Sequence, residues 1–202
     1  MAATRGFTGR GATGRDPRLP PGQYDAGDDW PVLSAEVTPA LDTSGWTFTV
    51  TGAVEREVTW SWDEMHALPQ ALVEGDIHCV TTWSKLGTRF AGVSLDTLFG
   101  LAPPAPSATH AVAFTHTGYT TNLPLADLVG DRAFVAFEHD GVPLTPEHGG
   151  PARLLVPHLY FWKSAKWVAG VRLTDHDEPG FWEQNGYHDR GDPWQEQRYQ
   201  GD

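Results

Sequence analysis

The chain has 202 residues, 40% of them hydrophobic and 20% charged, which is long enough for one well-cored domain. A formal net charge of −12, from 26 acidic against 14 basic side chains, repels a phosphate backbone and an anionic membrane surface, so nucleic acid is not an expected partner. No stretch approaches the ~20 apolar residues of a bilayer span.

Taken in order, Arg5, Arg10, Arg15 and Arg18 stand among Gly, Thr and Pro with no apolar run and no Arg-Arg pair. Residues 1–29 therefore read as a disordered arm with neither a secretory nor a twin-arginine signal, and a cytoplasmic protein is expected. Order is expected from Trp30, in a single domain over 30–202. Trp46–Gly52 alternates large apolar and threonine side chains, the period of a strand. Ser61-Trp-Asp-Glu64 has capping-box spacing and opens a short helix through Leu68 that Pro69 stops. Ala71–Cys79 reads as a strand that delivers its cysteine to a loop. Ser94–Phe99 is a second capped helix with Gly100 at its C′ position, and Ala102–Ala108 is a linker. His110–Thr115 is strand-like, and Pro124 suits the first position of a third short helix, Leu125–Val129, ended by Gly130. Ala133–His139 and Val142 flank Asp140-Gly141, a two-residue hairpin turn. Arg153–Val156 and Val168–Leu173 supply two more strands. Beyond Thr174 the chain turns polar and aromatic, with Phe181, Trp182, Tyr187, Trp194 and Tyr199 as expected anchors of a surface wrap. Short strands and short helices without βαβ alternation predict an α+β fold with mixed or antiparallel sheets.

Three clusters carry chemistry. Cys79 is the only cysteine, so it makes no internal disulfide and is left as a buried hydrophobe, a nucleophile or a metal ligand. Its neighbour His78 lacks the paired short spacings of a structural zinc site. The second cluster is Phe161–Trp167, preceded by Gly149–Pro157. Here Arg153, Lys163, Lys166 and the Ser164 hydroxyl suit a phosphate, on a cofactor with a charged tail and a flat body. The same residues also fit a basic surface loop with snorkelling lysines. The third is Thr115–Pro124, where His116 and Tyr119 occupy a loop between a strand and a helix, either as site residues or as an ordinary turn.

Three runs in order, His78-Cys-Val-Thr-Thr-Trp-Ser84, Gly118–Leu125, and Gly149–Pro157 through Lys163–Trp167, resemble the sulfite-oxidase-type molybdopterin oxidoreductases, above all their short bacterial members. The catalytic subunit of the methionine-sulfoxide reductase system is a more distant match. The resemblance spans Trp30 to Tyr199. It implies that fold, and a molybdenum atom held by the dithiolene of one molybdopterin and by one protein thiolate, which Cys79 matches. A soft thiolate suits such a metal. Arg153, Ser164 and Lys166 fall on positions that hold the pterin and its phosphate. Lys163 and His148 fall on variable polar or basic contacts, Tyr119 on the active-site tyrosine, and His116 near a further pterin contact.

The implied activity is oxygen-atom transfer coupled to two-electron redox on a small-molecule substrate, sulfite or an S-/N-oxide type compound, with a separate electron-transfer partner. Thr81, Thr82 and Trp83 stand where sulfite oxidases carry substrate-binding arginines, which points away from sulfite. No pterin-contacting Asn or His is evident around Trp30–Leu33. Two other classes stay open: a non-catalytic module of this fold without the cofactor, and a hydrolase pairing Cys79 with a histidine such as His116.

Overall fold

The computed structural model describes residues 16–202. In chain order the elements are β1 (Tyr24–Asp25), β2 (Thr47–Gly52), β3 (Val58–Ser61), α1 (Trp62–Ala67), β4 (Ala71–His78), β5 (Trp83–Ser94), α2 (Leu95–Leu101), β6 (His110–Thr115) and β7 (Thr120–Pro124). They continue with β8 (Phe134–His139), β9 (Val142–Pro143), β10 (Arg153–Leu155), β11 (Val168–Thr174) and α3 (Phe181–Gln184), with single 3₁₀ turns between.

One sheet runs β3-β2-β11-β6-β7, parallel between β11 and β2 and antiparallel elsewhere. The other runs β1-β5-β8-β10, with β4 added on β5 and β9 on β8; only the short β1–β5 pairing is parallel. In β2, Phe48 and Val50 are fully buried and the threonines between them are not, the alternation of a half-buried strand. These two side chains pack with Val93, Val135 and Leu154 of the other sheet in one apolar cluster. Their neighbours Phe134, Ala136 and Leu155 turn to the opposite face and join a second cluster with Ile77, Cys79, Trp83, Phe90 and Phe161. The β5–β8–β10 sheet is therefore covered on both faces, and the cysteine is anchored in the second cover. Each fully buried side chain of this kind contributes about 1.5–3 kcal/mol of transfer free energy.

The α+β class and the mixed sheets match the expectation. The capping box on α1 is present in both directions: Glu64 N donates to Ser61 Oγ, and the Glu64 carboxylate accepts from Ser61 N at 2.8 Å. Extended Leu68 ends the helix before Pro69, whose ring disfavours helical backbone in the residue it follows. Asp140 and Gly141, with φ of 50° and 79°, form the hairpin turn between β8 and β9.

Several expectations need correction. Order does not wait for Trp30: Tyr24 and Asp25 pair with Trp83 and Ser84, because the backbone edge there offers hydrogen bonds that side-chain pattern does not report. The part of the expected arm over 1–15 lies outside the described residues. Gly100 lies inside α2, which runs to Leu101 and caps at Ala102. The third helix is only a 3₁₀ turn, Leu125–Asp127, and Pro124 closes β7 rather than opening a helix. In the tail, Trp182 and Tyr187 are partly buried, whereas Trp194 and Tyr199 are 50% and 54% exposed and their rings make edge contacts only, with His78 and Tyr187.

Candidate functional site

Cys79 is the first residue after β4. Its N–H donates to Trp83 O at 2.8 Å, and Thr82 N–H donates back to Cys79 O at 3.0 Å, closing a tight turn into β5. Thr82 sits at φ 77°, a left-handed conformation costly for a β-branched residue, so the turn holds some strain. The sulfur contacts Thr81 Oγ1 at 3.2 Å, and burial pushes the thiol above its ordinary value. Among the described residues no base lies against it: His78 turns its Nδ1 to Ser84 Oγ at 2.8 Å.

Arg153 opens β10, opposite Ala136. It is 1% exposed, and its guanidinium donates to His148 O at 2.9 Å and Ser164 O at 2.7 Å, with its carbon 3.9 Å from the centroid of the Phe161 ring. It forms no ion pair among the described residues. Burial pulls its pKa below the usual guanidinium range. Lys166 Nζ donates to Leu33 O at 2.8 Å and Glu147 O at 2.6 Å, again with no carboxylate partner among the described residues. Burial, then the Arg153 charge, lowers it to about 8. Gly149 lets the two cations approach: at φ 102°, a Cβ there would stand 3.0 Å from Lys166 Cα and 3.1 Å from Arg153 Cβ. Ser164 Oγ accepts from Val156 N at 2.9 Å, tying the loop to the strand end. His148 stacks on Trp30 with centroids 3.9 Å apart; its Nε2 donates to Trp30 O at 3.1 Å, since a carbonyl can only accept.

These groups line one open cleft of about 290 Å³, together with Glu36, Thr81, Tyr119, Trp162, Trp182 and Tyr187. The cations stand among Trp30, His148 and Phe161, while Trp162, Trp182 and Tyr187 form a contiguous wall with centroids about 5 Å apart. Tyr119 belongs to the cleft, but its hydroxyl donates to Trp162 O at 2.8 Å. Burial, reinforced by the Glu183 carboxylate, holds its phenol well above the ordinary value. An uncompensated buried cation is costly, so a fold that keeps one facing a cleft is suited to an anionic ligand.

Of the residues singled out in sequence, the cleft thus gathers Cys79, Tyr119, His148, Arg153, Ser164 and Lys166. Two do not join it. His116 is exposed in the β6–β7 turn, in a separate depression with Leu41, Asp42 and Trp46, because the hairpin turn sends positions three apart to different sides. Lys163 is fully buried behind the wall, ion-paired to Glu183 at 2.6 Å and bonded to Asn122 and Asp189 O. Among the residues that sequence reasoning missed are Trp30 and Glu36, which line the cleft from the segment before the first expected strand. The Trp30-Pro31 pair was the only local signal for them.

The model of the oxidoreductase molybdopterin binding domain matches residues 35–182. The chain belongs to this family. It is a molybdopterin-dependent oxidoreductase of sulfite-oxidase type. It is 43% identical over 186 residues to the uncharacterized oxidoreductase YuiH of Bacillus subtilis (strain 168), covering 92% of this chain and 93% of that protein. It is 29% identical to the protein-methionine-sulfoxide reductase catalytic subunit MsrP of Gluconobacter oxydans (strain 621H), over 68% of this chain and 49% of MsrP. The chain thus spans about half of MsrP. The fold is also that of the sulfane dehydrogenase SoxCD from Paracoccus pantotrophus, with a TM-score of 0.64 at 20% identity, covering 69% of this chain and 41% of the other. Among the described residues no helix is long and apolar enough to cross a membrane. The donors of the cleft fit this family's cofactor: two unpaired cations for a phosphate, a stacked Trp30–His148 surface for a flat ring, and a single thiol at the cleft wall.

Proposed function

We propose that this chain carries out oxygen-atom transfer to or from an uncharged S-oxide or N-oxide type substrate, with Cys79 as the protein ligand to molybdenum. The observation that carries the cofactor reading is Arg153, a buried guanidinium in the cleft with hydrogen bonds to carbonyls and no counter-ion among the described residues. When bound, the molybdenum–pterin group supplies two-electron redox chemistry coupled to oxygen-atom transfer.

The protein's own groups divide the remaining work. Arg153 and Lys166 neutralise the phosphate, and Ser164 fixes the loop between them through its bond to Val156 N. Cys79 offers the soft donor, with the Thr81 hydroxyl placed to donate to its sulfur once that sulfur is ionised. Trp162, Trp182 and Tyr187 exclude water from the side of the cleft that Tyr119 shares. The Tyr119 hydroxyl hydrogen is already committed to Trp162 O, so its oxygen meets a substrate as an acceptor.

The substrate's charge follows from what lines the cleft. Its guanidinium and ammonium groups are Arg153 and Lys166, both assigned here to the phosphate, and Thr81 stands beside Cys79 with no cation of its own. A dianion such as sulfite would meet no dedicated partner, whereas a neutral oxide needs none. Electrons are exchanged with a separate carrier protein, a reading supported by the name of MsrP as a catalytic subunit.

The test is molybdenum by elemental analysis and pterin by fluorescence of its released, oxidised form, in wild type and Cys79→Ala from a cofactor-competent host. We expect close to one of each per wild-type chain, and a variant with less metal or a changed absorption spectrum. Well-folded wild-type protein with neither would overturn the proposal.

A further inference from the structure

The turn that presents Cys79 is held from outside by both ends of the chain. Gln23 Nε2 donates to Cys79 O at 2.9 Å, and Tyr24 N donates to Thr82 O at 2.9 Å. Between these, Val80 O accepts from Arg198 Nη1 at 2.6 Å. The other arm of the same guanidinium reaches Pro21 O at 3.3 Å, and its carbon lies 5.0 Å from the centroid of the Tyr160 ring, a residue itself bridged to His78. One tail side chain therefore joins the N-terminal segment to the residue that follows the cysteine.

Three features make this more than a routine loop contact. A turn carbonyl on a surface ordinarily takes its hydrogen bond from water, yet each of these three takes it from the protein, two of them from side chains far away in sequence. Arg198 forms no ion pair among the described residues, and its guanidinium is held by two backbone carbonyls rather than by a carboxylate. The turn also contains left-handed Thr82, a conformation that persists only where surrounding contacts fix it. Both Gln23 and Arg198 lie outside the matched residues 35–182.

We infer that Gln23 and Arg198 are positioning residues for Cys79: together they fix the turn, and Arg198 places one positive charge on the carbonyl of the residue that follows the cysteine. This rests on the reading of Cys79 as the metal ligand. Arg198 touches neither the thiol nor the cleft, so it acts through the Val80 peptide and through its field. The two residues separate these roles, because Gln23 supplies a bond without charge and Arg198 supplies both.

The test uses molybdenum-loaded full-length protein as wild type, Arg198→Gln, Arg198→Lys and Gln23→Leu. The readouts are the reduction potential of the metal from a spectroscopic redox titration, the sulfur-to-metal absorption, and molybdenum retained after gel filtration. Losing the charge should lower the potential in Arg198→Gln, since a nearby cation favours the reduced, more negative metal. Arg198→Lys should restore most of that potential while still losing metal, because an ammonium cannot span Val80 O and Pro21 O. Gln23→Leu should alter the sulfur-to-metal absorption and retention with little change in potential. A folded Arg198→Gln protein with wild-type potential overturns the inference, whatever its stability. If that variant does not fold, an unchanged absorption spectrum in Gln23→Leu overturns it instead. Wild-type protein without molybdenum is a different failure, that of the cofactor reading itself.

Discussion

Replacing Lys163 by methionine tests whether that ammonium belongs to the core or to the cleft. Its Nζ lies 2.6 Å from Glu183 Oε1, 2.7 Å from Asn122 Oδ1, 2.8 Å from Asn122 O and 2.5 Å from Asp189 O, and both charged side chains are fully buried. Glu183 Oε1 also accepts from Trp162 Nε1 at 2.8 Å and Thr121 Oγ1 at 3.0 Å, while Oε2 has no partner. Methionine keeps the stem but leaves a buried carboxylate with two neutral donors. Breaking a buried pair in this way costs about 3–5 kcal/mol. With a urea slope of about 2–3 kcal/mol per molar, the unfolding midpoint should fall by roughly 1–2.5 M. Lys163→Met/Glu183→Gln removes both charges, and the glutamine carbonyl can still accept from Trp162 and Thr121, so it should recover more than half of the loss. Urea unfolding of cofactor-free protein, followed by tryptophan fluorescence, reads both variants. A Lys163→Met protein that unfolds like wild type but loses its pterin would refute the placement of this pair in the core.

Two further outcomes follow from the cations of the cleft. Arg153→Gln should lower retained pterin by at least about tenfold, the loss expected from a charge-assisted contact. Its cofactor-free stability should stay within about 2 kcal/mol of wild type, because relief of a buried charge offsets two lost bonds to carbonyls; a larger loss in urea would make Arg153 structural. Lys166 is a base whose folded pKa is lowered to about 8, so it loses its positive charge as pH rises through that value. Sulfate, which does not titrate in this range, should therefore bind cofactor-free protein more weakly at pH 9 than at pH 7 by calorimetry at constant ionic strength. Lys166→Met should flatten that step, and an unchanged step in the variant would assign it to another group.

The parts legible in the sequence were those whose physics is local. A capping box needs only Ser61 and Glu64, three positions apart; a hairpin turn needs only Asp140-Gly141; the strand read over Ala71–Cys79, which ends one residue earlier at His78, needs only its own run and a following turn. The resemblance added Cys79, Arg153 and Lys166 because these fall in short runs that keep their order. What was not legible depends on partners distant in the chain. Lys163 reads in sequence as a phosphate contact or a snorkelling surface lysine until Glu183, twenty residues on, arrives to bury its charge. His116 and Tyr119 are three positions apart in one loop, yet a hairpin turn places only one of them in the cleft. The long β5 carries Gly87 and Gly92 and so breaks the alternation that marks a strand, but at Gly92 an added Cβ would collide with Val135 O, which explains the glycine by the close approach of β8. Gln23 and Arg198 show the same principle at the site itself: no local pattern marks either, and only the folded turn brings them to the carbonyls beside Cys79. In this fold Cys79, Arg153 and Lys166 sit in recognisable runs, whereas Gln23 and Arg198, which hold the cysteine turn, come from segments far from it in sequence.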